Sequence, residues 1–164
     1  MMKKIFLSIG LLTLINASAW AANAKVIWQA PDKYTDIRAT HEQQDRFQQR
    51  LFTHMEKVFA DLGQKLPADS QLEITVTDFD LAGDIPPMLA GRMNEVRVIK
   101  DIYSPKISFT YTFTQNEQII SGTENFRDLN FMSGISRINK EDDFQYEEKM
   151  LRKSFDKLQA RLVK

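Results

Sequence analysis

Seven consecutive residues gather the most suggestive chemistry in this chain: Asp78-Phe79-Asp80-Leu81-Ala82-Gly83-Asp84. Carboxylates at the first, third and seventh places, with glycine at the sixth, resemble the opening of a calcium loop, where oxygen ligands wrap an ion and glycine permits the sharp turn. Two departures oppose that reading. The fifth place is Ala82, and the twelfth is Leu89, where a bidentate glutamate belongs. An ion would have to recruit Asp36, Asp101 or Asp128 from elsewhere in the chain. The competing reading is a strand end whose aspartates bond backbone amides of a turn or pair with Arg38, Arg92 or Arg127. No metal is expected on that balance. Asp78 falls on the inward parity set by Leu72, Ile74 and Val76, and an unpaired carboxylate there is unfavourable. It should find a local partner, either backbone amides or an arginine such as Arg127.

Other reactive combinations are weaker. Two acids could cut a glycosidic bond as acid and base, but aspartates two residues apart on a strand are no more diagnostic than any acidic rim. The two histidines, His41 and His54, sit in no recognisable motif, and the chain has no cysteine. That removes nucleophilic triads built on cysteine, thiolate zinc sites and histidine-rich metal centres. Trp28, Tyr34, Tyr103 and Tyr111 could line a platform for a glycan or peptide, although Trp28 and Tyr111 stand in strand-like alternation and default to the core. Phe131-Met132-Ser133-Gly134-Ile135 either tucks beneath a sheet or presents a docking patch. No catalytic residue can be named and no cofactor is implied. The candidate ligand-binding set is Trp28, Tyr34, Asp36, Arg38, Asp78, Asp80, Asp84, Arg127 and Asp128.

The elements that must position these residues follow from periodicity. Val26-Ile27-Trp28 is a short strand stopped by Pro31, and 31–39 reads as an ordered loop. Thr40 with Gln43 forms a plausible capping box. Phe47, Leu51, Met55, Val58 and Leu62 then make one helical stripe, widened by Phe52 and Phe59, with Gly63 as its C-terminal cap. Leu72, Ile74 and Val76 alternate as a half-buried strand, and Phe79 and Leu81 fall on the opposite parity. A bulge near Thr77 or Asp78 accounts for that phase change. After a loop broken by Pro86-Pro87 and Gly91, a weaker strand is expected over 96–102. Ile107, Phe109, Tyr111 and Phe113 alternate with Ser108, Thr110, Thr112 and Thr114, and a turn at 115–118 leads into a strand over 119–126. The last helix, about 141–162, carries Phe144, Leu151, Phe155, Leu158 and Leu162 on one stripe, with Asn139 and Asp142 as its start signal. Its basic residues, including Lys149, Arg152 and Lys153, interleave with acids and read as a solvated face. The expected fold is therefore α+β: a two-layer sandwich in the order β-α-β-β-β-β-α, with a mainly antiparallel sheet of about five strands and two helices on one face.

The first twenty-one residues belong to a different kind of segment. Lys3 and Lys4 precede an uncharged run, 5–15, and small residues follow at 17, 19 and 21. This is the pattern of a secretory signal peptide. Eleven residues at about 1.5 Å each reach only about half of a roughly 30 Å hydrocarbon core, which argues against an uncleaved anchor. Cleavage is expected after Ala21, with Ala19 and Ala24 as the competing positions, leaving one α+β domain over 22–164. No lipid anchor is expected, because acylation needs a cysteine after the signal, and no membrane span remains after cleavage. Loss of Lys3 and Lys4 takes the basic count from 22 to 20 against 22 acids. That near balance leaves no electrostatic footprint for nucleic acid.

Three stretches carry a resemblance. They are Ile27-Trp28-Gln29-Ala30-Pro31-Asp32-Lys33-Tyr34-Thr35-Asp36-Ile37-Arg38, then 74–84 with its Thr77-Asp78-Phe79-Asp80-Leu81-Ala82-Gly83-Asp84 block, and Arg127-Asp128-Leu129-Asn130-Phe131 followed by Tyr146-Glu147-Glu148-Lys149-Met150-Leu151. In that order they resemble the bacterial domain of unknown function family 3016. The resemblance implies a small exported protein and supplies neither activity nor catalytic residues. The functional expectation is a non-catalytic periplasmic domain that binds an envelope protein or small ligand. One alternative is a metal-binding or accessory hydrolytic enzyme around Asp78 and Asp80. Another is a structural subunit that self-associates through the sheet.

Overall fold

Alternating apolar side chains on three long segments and one short one build a four-stranded sheet, seen here in a computed structural model that describes residues 23–88, 95–133 and 143–163. The expected signal peptide (1–21), the breaker Gly91, the loop residues Gly134 and Ile135 and the start signal Asn139/Asp142 lie outside the described residues. Strand β1 is Asn23–Trp28, β2 Ser70–Asp80, β3 Lys106–Gln115 and β4 Gln118–Arg127; helix α1 is Gln44–Gly63 and α2 Gln145–Leu162. The chain is α+β, with a mixed sheet in the order β1-β2-β3-β4. β1 runs parallel to β2, and the other two pairings are antiparallel.

One face of the sheet is buried. Leu72, Ile74, Val76, Phe109 and Phe113 are almost wholly covered, while Glu73, Thr110 and Thr112 on the other parity stand exposed. α1 packs on β1 and on α2, and α2 on β3 and β4. The helical stripes are as expected: Phe47, Leu51, Met55, Val58, Phe59 and Leu62 from α1 join Phe144, Leu151, Phe155, Leu158 and Leu162 in one core cluster.

Three expectations need correction. The sheet has four strands rather than about five, because 96–102 forms no strand. Among the described residues Val98 pairs with Asp84 alone, through two backbone hydrogen bonds of 2.8 and 3.1 Å, and the chain then turns at Lys100 to Tyr103. The capping box is absent. α1 begins at Gln44 with no side-chain cap, and the Gln44 amide instead bridges the Ile37 carbonyl and the Ala39 N–H. Gly63 is the last helical residue rather than a left-handed cap, and it is small for a steric reason. A Cβ there would lie 2.9 Å from the Ala24 Cβ of β1. Of the apolar loop, Phe131 is fully buried against Tyr146, Ala82 and Ile99, whereas Met132 is exposed. The hairpin between β3 and β4 turns on two residues, Asn116 and Glu117, both at positive φ (48° and 66°). That matches the twist the flanking strands require.

Candidate functional site

The phase change in β2 is a real bulge: the register shifts between Val76 and Asp78, and Thr77 is the extra residue. Its effect is to turn Phe79 into the core and to set Asp78 and Asp80 on the outer, polar face. Asp78 and Asp80 therefore lie on extended strand, and they do not wind as the start of an ion loop does.

Asp78 is satisfied locally, though by other groups than Arg127. Its carboxylate accepts from the Thr35 N–H at 2.7 Å, the Thr35 hydroxyl at 2.9 Å and Lys106 Nζ at 3.2 Å. Burial pushes its pKa upward, but those bonds outweigh it and hold the carboxyl below the usual value. Arg127 turns instead to Ser104, donating from Nε to the buried hydroxyl at 2.7 Å. Asp36 sits beside Asp80 through an isolated parallel bridge. Arg97 clasps it in a two-pronged pair of 2.9 and 3.0 Å and also donates to the Arg38 carbonyl. Burial opposes ionisation of Asp36 too, and the Arg97 pair with the Arg38 amide brings its pKa below the usual value. Such a planar fork fits a carboxylate with two parallel bonds.

Asp80 is different. No described residue donates a hydrogen bond to it. Burial, followed by the charges of Asp36 and Asp78, lifts its pKa from 3.8 to about 6, with Lys106 and Arg97 holding back a further rise. Asp80 lies in a cleft of about 410 Å³ at the end of the sheet. Asp36, Asp80 and Asp84 supply the acidic groups of this cleft's lining, Arg38 and Arg127 the basic ones, and the 102–104 segment contributes Tyr103. Gly83 holds the turn that closes it, at φ 85°. A Cβ there would meet the Val98 carbonyl at 2.8 Å.

The structure thus brings five of the sequence-derived candidates to one cleft: Asp36, Arg38, Asp80, Asp84 and Arg127. Asp78 lies on the same face but is committed to Thr35 and Lys106. The others stand apart. Trp28 stacks on Phe52 at 4.3 Å and donates its indole N–H to Glu56. Tyr34 is buried, donates to the Val76 carbonyl at 2.9 Å, and has its pKa pushed up to about 12, chiefly by burial. Asp128 is buried beneath the chain leaving β4, where Lys153 reaches it at 3.0 Å. Lys149 likewise serves structure by donating to the Phe131 carbonyl at 3.1 Å. Tyr111 is buried above Gly122 and joins no exposed aromatic surface among the described residues. His54 is a half-covered surface residue 3.0 Å from Glu148.

Sequence reasoning missed Arg97, Lys106 and Thr35. Arg97 stands between Val96 and Val98, so alternation made it the solvent side of a strand; its proximity to the three aspartates Asp78, Asp80 and Asp84 was the available signal. A second cavity, of about 320 Å³, lies between the starts of the two helices and is lined by Phe47, Phe144 and Tyr146 with Arg50 and Arg97. Among the described residues, no group of three or more histidine or acidic side chains is placed to hold a metal ion.

The family described as Protein of unknown function (DUF3016) matches residues 22–157. The chain belongs to this family. No curated protein and no solved structure matches it. For this DUF3016 chain the geometry therefore has to speak for the site. Among the described residues no helix is long and apolar enough to cross a membrane.

Proposed function

We propose that the protein is an exported, non-catalytic domain of the cell envelope that binds a small ligand, on a two-layer sandwich scaffold, in the cleft at Asp80. One observation carries the reading. A concave site of about 410 Å³ holds charged groups of both signs, and one of them, Asp80, is left without a hydrogen-bond donor among the described residues. Protein surfaces rarely keep a half-buried carboxylate in that condition unless something else solvates it, and clefts with a few convergent polar groups and a shifted pKa are the default binding sites. Export is supported by the basic start, the short uncharged run and the small residues at 19 and 21. The family match begins at residue 22 and β1 at Asn23, so cleavage after Ala21 leaves the strand whole. Cleavage after Ala24 would remove two residues that pair with Gln71 and Leu72.

Two measurements test this. Intact mass of protein recovered from the periplasm after expression of the full chain should give Ala22 as the first residue; a full-length species held in the inner membrane refutes export. Amide resonances of labelled protein should then be followed while the low-mass fraction of a periplasmic extract is added. Shifts centred on Asp36, Asp80 and Tyr103 support the reading, and a spectrum left unchanged there refutes it.

A further inference from the structure

The cleft has a polarity that its residue types alone do not reveal. Asp36 is the bridge partner of Asp80, Asp80 pairs across the sheet with Lys106, and Lys106 pairs with Arg127. The four side chains form one row on the outer face, acidic at one end and basic at the other. The members of that row are not equally available. Arg97 neutralises Asp36, and Lys106 leans to Asp78. What remains is a lone carboxylate at Asp80 and, two strand spacings away, the guanidinium of Arg127. Only the Arg127 Nε is engaged among the described residues, on Ser104. Both groups line the cleft, and Ile102 and Tyr103 form an exposed apolar wall beside them, 66% and 37% accessible.

A purely anionic ligand would meet Asp80 and Asp84, and a purely cationic one would meet Arg38 and Arg127. A ligand with an ammonium at one end and a carboxylate at the other satisfies both. The separation sets its length. Two strand spacings amount to roughly 10 Å, and an extended peptide advances about 3.3–3.6 Å per residue. The reach of the arginine side chain shortens the requirement further. We propose that the cleft takes a short peptide of two or three residues with free ends, its α-ammonium at Asp80, its carboxylate at Arg127 and its side chains against Ile102 and Tyr103. This rests on the reading of the cleft as a binding site and names what it binds. Arg127 is suited to the carboxylate because its fork can offer two parallel N–H groups, and Asp80 is suited to the ammonium because a bound cation replaces the hydration that burial has taken from it.

The test uses trialanine, its N-acetyl form and its C-terminal amide, titrated calorimetrically into protein obtained from the full chain at pH 7.5. Trialanine should bind, and capping either end should weaken binding at least tenfold. Asp80→Asn should bind the free and the acetylated peptide alike, and Arg127→Gln should bind the free peptide and the amide alike. This crossed pattern assigns each end of the peptide to one residue. A general loss of folding would not produce it, and the capped peptides test the wild-type protein without any substitution. Equal affinity for all three peptides, or the opposite crossing, overturns the proposal. If trialanine does not bind while the periplasmic fraction shifts the cleft resonances, the peptide class is wrong and the binding reading stands. If neither acts on the cleft, both fall.

Discussion

Replacing Asp80 by asparagine should stabilise the protein at neutral pH, an unusual direction for a substitution in a half-buried site. The carboxyl is partly withdrawn from water and faces the negative charges of Asp36 and Asp78, with Lys106 and Arg97 as the opposing cations, and its pKa is lifted to about 6. In the unfolded chain it returns to about 3.9. Between roughly pH 4 and 6 the native state therefore holds a proton that the unfolded state has released. By linkage, the Asp80 contribution to stability falls as pH rises through that window, and the full penalty is present above about 6. A shift of about two units corresponds to at most about 3 kcal/mol, and partial solvation brings the expected value to roughly 1–3 kcal/mol. Asparagine keeps the shape and removes the charge. Urea unfolding of the two proteins at pH 5.0, 6.0 and 7.5 should show a stability difference that grows with pH in favour of Asp80→Asn. It should be accompanied at pH 7.5 by a melting temperature higher by roughly 3–10 °C. A variant that is destabilised at pH 7.5, or a difference independent of pH, would refute the account of Asp80 as an unsatisfied charge.

Asp78→Asn should act in the opposite sense. It exchanges the acceptor of three hydrogen bonds for a neutral amide and should lower stability by about 1–3 kcal/mol at pH 7. Because the Asp78 pKa is lowered on folding, its contribution is present above the ordinary carboxylate range and is lost on acidification below about pH 4, which an acid-unfolding titration of both proteins would register. Phe109→Ala should cost about 3–5 kcal/mol by opening a cavity in the core, whereas Thr110→Ala on the outer face should stay within about 1 kcal/mol. Equal losses in chemical denaturation would mean that both sheet faces are covered. Gly63→Ala sets helix propensity, which favours alanine by about 1 kcal/mol, against a Cβ only 2.9 Å from that of Ala24. The clash should win, and a melting temperature above wild type would show that β1 yields freely.

Both helical stripes and the β3–β4 hairpin were legible because each rests on a local period that burial enforces. The bulge was legible for the same reason, since Val76 and Phe79 cannot both face the core on an unbroken alternation. The fifth strand was not. Val96, Val98 and Ile102 show the right spacing, but pairing of that segment stops at Asp84, and spacing does not say whether a partner exists. The candidate site was legible only in its acids. Asp36 and Asp80 are separated by 44 positions in the sequence and meet through a single bridge, while Arg97 and Lys106 arrive from two further segments. What makes Asp80 distinctive is a relation among all of them. Its own flanking residues are those of an ordinary strand end.

The bulge at Thr77 also separates two properties that usually change together. The ladder counts Val76 against Phe109 and Asp78 against Ser108, so Thr77 has no counterpart on β3. Deleting it would restore plain alternation, leaving Leu72, Ile74, Val76 and Phe79 pointing inward and Asp78 and Asp80 outward. No side chain would exchange faces. What would be lost is the local bend and added twist that an extra residue gives its strand, just before the strand end that meets Asp36 and the 102–104 arch. A single dispensable residue thus tunes the curvature of the site's floor while the inventory of groups facing the ligand stays fixed.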